Sequence, residues 1–445
     1  MIIVIGAGPA GLAAAEAASR NGSDIALIDS APRLGGQYWR NMGTVKGYRS
    51  ERADQLFAKV SRAKSITHIS EATVWSIEKD GELFRVNYLQ GGAESSLTAE
   101  KLIIATGAYD RSLPFPGWDQ PGSMTPGAAQ AVLKGHGVLV GKKIIVAGTG
   151  PFLLPVATGL AESGAEIVGL YEANNPMRWL LSLHALLLNP SKFVELVYYA
   201  KQLKKYRITP RFNRAVSSFT GGLATVTRLD SSFTFKKSGP ETFAVDVVSV
   251  GWGFLPDVTI GGIVGCAQRV DTDGTTVFSV NTDQRSSVDN IWIAGEATGI
   301  GGADLALIEG EIAGLSSSGQ KISLTKKLTR LRKEIFSNAL KRSYPIRDGW
   351  QSWSQDSTTI CRCEEVKLGE IRESVCELGA EDSRTAKLFT RAGMGLCQGR
   401  VCSRNVSELV AGLTNCNVSD AERVASSNRP IASPISLGLL GDGKK

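Results

Sequence analysis

Histidine is scarce. The 445 residues contain three, His68, His136 and His184, and none stands in a recognisable nucleophile or metal pattern, so they read as structural. A Cys-x-x-Cys dithiol is missing altogether, which removes the usual means of thiol–disulfide exchange. Seven cysteines, an odd number in no regular framework, do not describe a disulfide-stapled secreted domain and point to a reducing compartment. No uninterrupted apolar run reaches the ~20 residues that cross a bilayer. The Leu180–Leu188 segment is short and stopped by Pro190, and it reads as a buried helix or a partner-facing surface. The net charge of +7 is spread thinly, without a dense Lys/Arg block or an interleaved aromatic platform, which argues against a nucleic-acid partner. The apolar start Met1–Ala18 lacks a positively charged leader region, so it is not expected to be a signal peptide. A cytoplasmic protein is the resulting expectation.

What is present begins at the first residues. Ile2–Ile5 reads as a buried parallel strand, followed by Gly6-Ala7-Gly8-Pro9-Ala10-Gly11 and an Ala-rich helix to about Arg20. A second strand, Ile25–Ile28, ends at Asp29, and Ser30 follows. In this βαβ setting Gly6 permits the turn, Gly8 lets backbone approach a pyrophosphate, and Gly11 lets helix pack on strand. Asp29, 18 residues after Gly11, stands where a carboxylate accepts hydrogen bonds from an adenosine ribose. An ADP-containing ligand is expected here.

Near the other end lie Cys361-x-Cys363 and, after 33 intervening residues, Cys397-x4-Cys402. Four thiolates in two close pairs are the ligand set of a [2Fe-2S] cluster. Zinc is the rival, although one residue between Cys361 and Cys363 is tighter than the usual structural zinc pair. Arg362, Arg391 and Arg400 would either offset the negative charge of the thiolates or form a solvated face. Cys266, Cys376 and Cys416 stand alone, and the helical spacing of Ile371, Val375 and Leu378 predicts that Cys376 is a small buried hydrophobe.

A second βαβ unit opens at Lys142–Gly150 and continues to a strand ending near Glu172, but the third glycine position holds Leu153. Bulk there should push the helix off the strand, leaving a remodelled or empty pocket; NAD(P), ATP or no ligand remain open. Leu102–Gly107 and Asn290–Glu296 read as apolar strands returning to the first nucleotide, and the helix after Gly299–Gly302 would point its N-terminus at it. The fold class that follows is α/β, with two dinucleotide-binding, Rossmann-like domains of the FAD/NAD(P) disulfide-reductase type and a small C-terminal helical domain. The expected boundaries are 1–112 with 285–320 for the discontinuous first domain, 113–284 for the second, 321–356 for a connector, 357–428 for the cysteine domain and 429–445 for a loose or partner-docked tail. Trp350 and Trp353 in the connector are expected to pack domains together.

Several further stretches are distinctive: Leu34-Gly-Gly-Gln-Tyr-Trp-Arg40, Ala105-Thr-Gly-Ala-Tyr-Asp-Arg111, Pro114–Gly117, Met124–Gln130, and Thr390–Cys402. With the glycine loops, they make the chain resemble the FAD-containing α subunits of hetero-oligomeric amino-acid and opine dehydrogenases, over nearly its whole length. The last stretch resembles the bacterioferritin-associated-ferredoxin-like [2Fe-2S] domain. The resemblance implies that Gly36 and Gln37 lie on the flavin side, that Val74 meets adenine through its backbone, and that Thr106, Gly107, Gly295 and Glu296 line the remainder of FAD. Many relatives have Gly-Asp where this chain has Gly295-Glu296, and some carry NAD or ATP at the first site. It further implies an electron-transfer role beside an amino-acid-oxidase-like, FAD-containing β subunit. A small, ferredoxin-like γ subunit is a further expectation, as is an FMN at a subunit interface. The substrate class is an amino acid or opine of the D-hydroxyproline, proline or octopine/nopaline type, oxidised at its C–N bond. A stand-alone NAD(P)H-dependent ferredoxin or dye reductase is the alternative, and a non-catalytic scaffold a third reading.

Overall fold

Continuous Ile/Val/Leu runs without polar alternation require strands covered on both faces, and the first sheet meets that requirement. In the computed structural model, which describes residues 1–40, 51–237 and 239–442, five parallel strands stand in the order Ile291–Ile293, Lys101–Ile104, Ile2–Ile5, Ile25–Ile28, Ile66–Ile69. Val4 lies in register with Leu27 on one side and Ile103 on the other. Successive side chains alternate between two cores. Ile2 and Val4 join the helical side with Leu12, Ala14 and Ala313, whereas Ile3 and Ile5 join Phe84, Val86 and Phe278 on the other. An antiparallel sheet of Ala72–Asp80, Leu83–Gln90 and Ala93–Ala99 supplies much of that second cover.

The Ala-rich helix Pro9–Ser19 and the helix Ala303–Ser317 cross closely because their contact is lined by small residues. A Cβ at Gly310 would lie 2.0 Å from the Ala10 carbonyl oxygen, and one at Gly314 would lie 2.3 Å from that of Ala14. These elements belong to a unit made of residues 1–109, 255–338 and 427–445. The tail is part of it: the Ala432 N–H donates to the Trp75 carbonyl at 2.7 Å, and Gln268 donates to Asn428 at 2.9 Å. The tail is therefore tied to its own chain at Ala432, while Leu437 further on is exposed; residues 443–445 lie outside the described ones.

The other unit, residues 110–254 and 339–426, has a second parallel sheet in the order Pro210–Phe212, Glu166–Glu172, Lys143–Gly148, Val247–Gly251, Ser123–Met124. An antiparallel sheet of Arg214–Thr220, Leu223–Arg228 and Glu241–Ala244 accompanies it. Helices Leu368–Cys376, Ser383–Thr390 and Ser403–Thr414 form the cysteine-bearing part. Trp353 stacks on Phe235 at 4.9 Å and donates to the Phe233 carbonyl, while Trp350 is fully buried in the same core as Ile360, Ile371 and Leu409. The two tryptophans pack as structural residues. Arg111 and Glu408 add a buried ion pair at 2.8 Å. Burial works against the Glu408 carboxylate, yet Arg111, Arg404 and Arg423 together hold its pKa down at about 2.

Candidate functional site

The first glycine loop is shaped by close backbone contacts. Gly6 has φ of +101°, and a Cβ there would sit 2.3 Å from the Ala105 carbonyl oxygen; one on Gly11 would sit 1.7 Å from that of Gly6. Gly8 differs, since nothing lies within 4 Å of a Cβ placed on it. It caps the helix beginning at Pro9 without any side-chain hydrogen bond, so the helix N-terminus opens onto free space. A cradle closed on its protein side and open on the other suits a pyrophosphate. Asp29 stands at the loop's edge, accepting from the N–H groups of Ala7 and Ala31. Ser30 beside it is exposed.

The 34–40 stretch is tied to the same loop. The Gly35 N–H donates to the Ala7 carbonyl at 2.9 Å, and a Cβ on Gly36 would meet Gly8 Cα at 2.7 Å, which brings Gly36 to the cradle with Gln37 exposed next to it. Val74 turns its side chain into the core, on a strand that forms the edge of its sheet. Thr106 and Gly107 are fastened to Asp257, through the Thr106 hydroxyl at 2.7 Å and the Gly107 carbonyl at 2.9 Å. Gly295, with φ of +80°, packs against Ala10. The Glu296 carboxylate accepts from the Gly302 N–H at 2.8 Å, so its longer side chain also serves to hold the loop that precedes the helix Ala303–Ser317.

Glu309 and Asp257 have no signal in the sequence. Glu309 is buried and accepts from the Gly295 N–H and the Thr298 hydroxyl, both at 3.0 Å, and pairs with Arg330 at 3.2 Å. Burial pushes its pKa up, and Arg330 and the donors oppose that. An isolated glutamate in an Ala/Leu-rich helix looks like a solvent-facing residue until the fold turns it inward.

At the second loop, Gly148 fits the same rule, with a hypothetical Cβ 1.7 Å from the Gly251 carbonyl oxygen. The surroundings do not. Glu172 is buried and accepts from the Thr149 hydroxyl at 2.7 Å, the Gly150 N–H at 2.8 Å and the Asn174 N–H at 2.9 Å. Asn174 in turn donates to Thr149 and to the Pro345 carbonyl. Burial raises the Glu172 pKa to about 7 against those donors. Leu153 is buried with Ile144, Val146 and Val156. The Thr149 hydroxyl and the Gly150 N–H are thus satisfied within the chain, while a Cβ on Gly150, as on Gly8, would meet nothing within 4 Å.

The four cysteines meet as two pairs. Cys361 stands close enough to Cys402, and Cys363 to Cys397, for each thiol to act on the protonation of its neighbour. Cys361 is brought down to about 5, first by Cys402, against burial, and further by backbone N–H groups including that of Gly393 at 3.4 Å. Among the described residues no three His, Cys, Asp or Glu side chains are arranged as a closed metal site. Four sulfurs gathered with N–H donors at Cys361 nonetheless match the donor chemistry of an iron–sulfur cluster. Of the flanking cations, Arg391 pairs with Glu364 at 2.9 Å, Arg362 lies over Trp118, and Arg400 donates to the Cys397 carbonyl. Cys376 corrects an expectation: it is exposed, because Ile371 and Ser374 take the inward face of its helix.

Two family models match the chain, pyridine nucleotide-disulphide oxidoreductase over residues 1–313 and the BFD-like [2Fe-2S] binding domain over 359–411, which includes all four cysteines. The chain belongs to the pyridine nucleotide-disulphide oxidoreductase family, carries a C-terminal [2Fe-2S] domain, and has FAD and a [2Fe-2S] cluster as cofactors. It is 31% identical to an opine oxidase subunit of Rhizobium meliloti over 441 residues, covering 92% of this chain and 81% of that one. It is also 31% identical to hydrogen cyanide synthase subunit HcnB of Pseudomonas aeruginosa over 420 residues, with 90% of each chain covered. In fold it is similar to L-proline dehydrogenase from P. horikoshii, with a TM-score of 0.65 at 20% identity, covering 99% of this chain and 78% of that one. The chain is thus a flavin and iron–sulfur oxidoreductase subunit. No helix among the described residues is long and apolar enough to cross a membrane.

Proposed function

We propose that this chain is the electron-transfer subunit of a hetero-oligomeric dehydrogenase that oxidises the C–N bond of an amino acid or opine. The substrate, of the proline, D-hydroxyproline or octopine/nopaline type, is oxidised on a companion β subunit, and the electrons leave through this chain. The observation that carries the reading is one polypeptide with an open glycine cradle, a four-thiol site and a second glycine loop that has Leu153 at the third glycine position and a buried carboxylate, Glu172, on its Gly150 N–H. The names of its relatives, opine oxidase and hydrogen cyanide synthase subunits, support a companion.

In this reading Gly6, Ala7, Gly8, Pro9, Ala10 and Gly11 present backbone to the FAD pyrophosphate, Asp29 and Ser30 take the ribose, and Val74 borders adenine. Gly36, Gln37, Thr106, Gly107, Gly295 and Glu296 border the rest, with Glu309 and Asp257 as positioning residues. Cys361, Cys363, Cys397 and Cys402 hold the cluster. Bound FAD and cluster supply the redox chemistry, while the protein sets orientation and potential. The companion is expected to cover the segment around Leu180–Leu188, which is not a buried helix: Leu180, Leu187, Phe193 and Val194 are 57%, 83%, 58% and 69% exposed.

The test is anaerobic co-purification with the companion chain, extraction of flavins, and iron and sulfide analysis. About two irons per chain are expected, falling towards zero in Cys397→Ser while FAD stays bound. Amines should reduce the cofactors only when the companion is present, and an FMN in the extract would place a third redox group in the complex. Reduction of the isolated chain by NADH would overturn the reading in favour of a stand-alone reductase.

A further inference from the structure

The four thiols of the cluster site are unequally covered. Cys361 and Cys402 are buried, whereas Cys363 is exposed and Cys397 half-buried. The Gly393 N–H donates to the Cys361 sulfur at 3.4 Å, and a Cβ on Gly395 would lie 2.4 Å from that of Cys363, so the loop 393–397 runs across the site. The Cys363/Cys397 side is the one that meets the surface.

That surface is apolar and cationic together. Leu396, next to Cys397, is 75% exposed, Leu388 on the helix Ser383–Thr390 is 68% exposed, and Phe389 and Val401 are exposed as well. Single exposed apolar side chains are ordinary, but four between Leu388 and Val401, a stretch that also carries Cys397, are a feature to explain. Arg384, Lys387, Leu388 and Arg391 recur at helical spacing and all are exposed, while Ala386 is buried. Arg391 reaches Glu364 at 2.9 Å, which sets that end of the stripe beside Cys363. From Ser383 to Ser403 the basic residues are Arg384, Lys387, Arg391 and Arg400, and there is no Asp or Glu; Glu364 and Glu365 follow Cys363 in sequence.

We infer that this face docks a small acidic protein bearing a one-electron redox group, which takes up the electrons that leave this chain; the inference rests on the electron-transfer reading proposed above. An apolar centre with a charged rim is the make-up of a protein interface, and rim charges steer and orient brief encounters. Electron-transfer encounters use small contact areas, which suits a patch of this extent. The companion has its own apolar face to cover around Leu180–Leu188, and a lipid surface gains nothing from a redox group at its contact. A carrier, by contrast, must approach one. The transfer is of a single electron: the carrier's metal is reduced by one as the cluster is oxidised by one, and no atom or proton changes hands.

The experiment is stopped-flow mixing of the full, cofactor-loaded chain, reduced with dithionite and freed of excess reductant, with oxidised rubredoxin as the acidic probe and cytochrome c as the basic one. Reduction of rubredoxin should saturate with its concentration and slow as salt rises. The Arg384→Glu/Lys387→Glu variant should reduce rubredoxin about tenfold more slowly, while its iron content, visible spectrum and rate with cytochrome c do not fall. Leu388→Ser should raise the half-saturating rubredoxin concentration about threefold and leave the salt dependence as it is. Equal rates with the two probes at low salt, or an unchanged rate in the double variant, would overturn the inference. So would loss of transfer on adding one equivalent of the companion chain, which would give the face to the companion, or binding to phosphatidylglycerol vesicles that the double variant loses, which would give it to a lipid surface. Because the chain is reduced chemically, these outcomes are independent of the amine-driven reduction that tests the electron-transfer reading.

Discussion

The two glycine loops of this chain start alike and end differently. Both follow an apolar parallel strand, and both first glycines, Gly6 and Gly148, sit where any side chain would strike a carbonyl oxygen of a neighbouring strand or its turn, Ala105 or Gly251. At Gly8 and at Gly150 alike a Cβ would meet nothing within 4 Å, and half-buried Asp29 accepts from the Ala7 N–H of its own loop. At Thr149-Gly150 the strand-end carboxylate, Glu172, is buried and accepts three hydrogen bonds from the loop and its surroundings, against two for Asp29. The strand-and-turn framework is therefore a property of the fold, and the two loops differ in the residue at the third glycine position and in how deeply the strand-end carboxylate is buried against them.

The comparison can be broken most forcefully at the third glycine. Gly11→Leu would make the first loop like the second, and with a Cβ already 1.7 Å from the Gly6 carbonyl oxygen the helix must shift. Loss of bound FAD, by at least tenfold in the extract, is expected; a variant that retains flavin would show that the helix can yield. The converse change, Leu153→Ala, should not restore a nucleotide site, because Glu172 still occupies the Thr149 hydroxyl and the Gly150 N–H. It should instead cost about 2–5 kcal/mol as a core cavity, measured by denaturant unfolding, with no binding in an NADH fluorescence titration.

Glu172 and Glu408 sharpen it through pH. The folded pKa of Glu172, about 7, lies above its unfolded value, so its contribution is present at low pH and is lost as pH rises from about 4.5 through 7. Glu172→Gln should remove that loss, on the order of 1–3 kcal/mol between pH 5 and 8. Glu408 has the opposite sign: held at about 2, it stabilises above its unfolded pKa and that stability disappears as pH falls from about 4.5 to 2. Glu408→Gln should flatten the acid limb of the stability curve and leave the neutral limb unchanged. The smallest effect is expected from Asp29→Asn, about tenfold in FAD affinity, or ~1.4 kcal/mol for a weakened hydrogen bond; an unchanged affinity would remove Asp29 from the ribose site.

Much of this was legible in the residues because the signals are local. A strand, a Gly-x-Gly-x-x-Gly turn and a carboxylate 18 residues on define a geometry within one βαβ unit, and the four cysteines name their own ligand chemistry. Leu153 likewise marked the second loop as altered. The surroundings of that loop were not legible, since Asn174, which donates to Thr149, also reaches the Pro345 carbonyl across 171 positions of sequence. Cys376 was misplaced because a helical period fixes which residues share a face but leaves the buried face to the packing of Ile371 and Ser374. Glu309 and Asp257 were invisible for the same reason.

The sequence by itself determined the paired Rossmann-like framework, the thiol ligand set and the family, because backbone sterics at glycine and the chemistry of sulfur act over a few residues. Only the tertiary structure decided how each strand-end carboxylate meets its glycine loop, and which carboxylates are buried and with what pKa. Those outcomes depend on contacts between distant segments, and desolvation and charge act through space, whatever the separation along the chain.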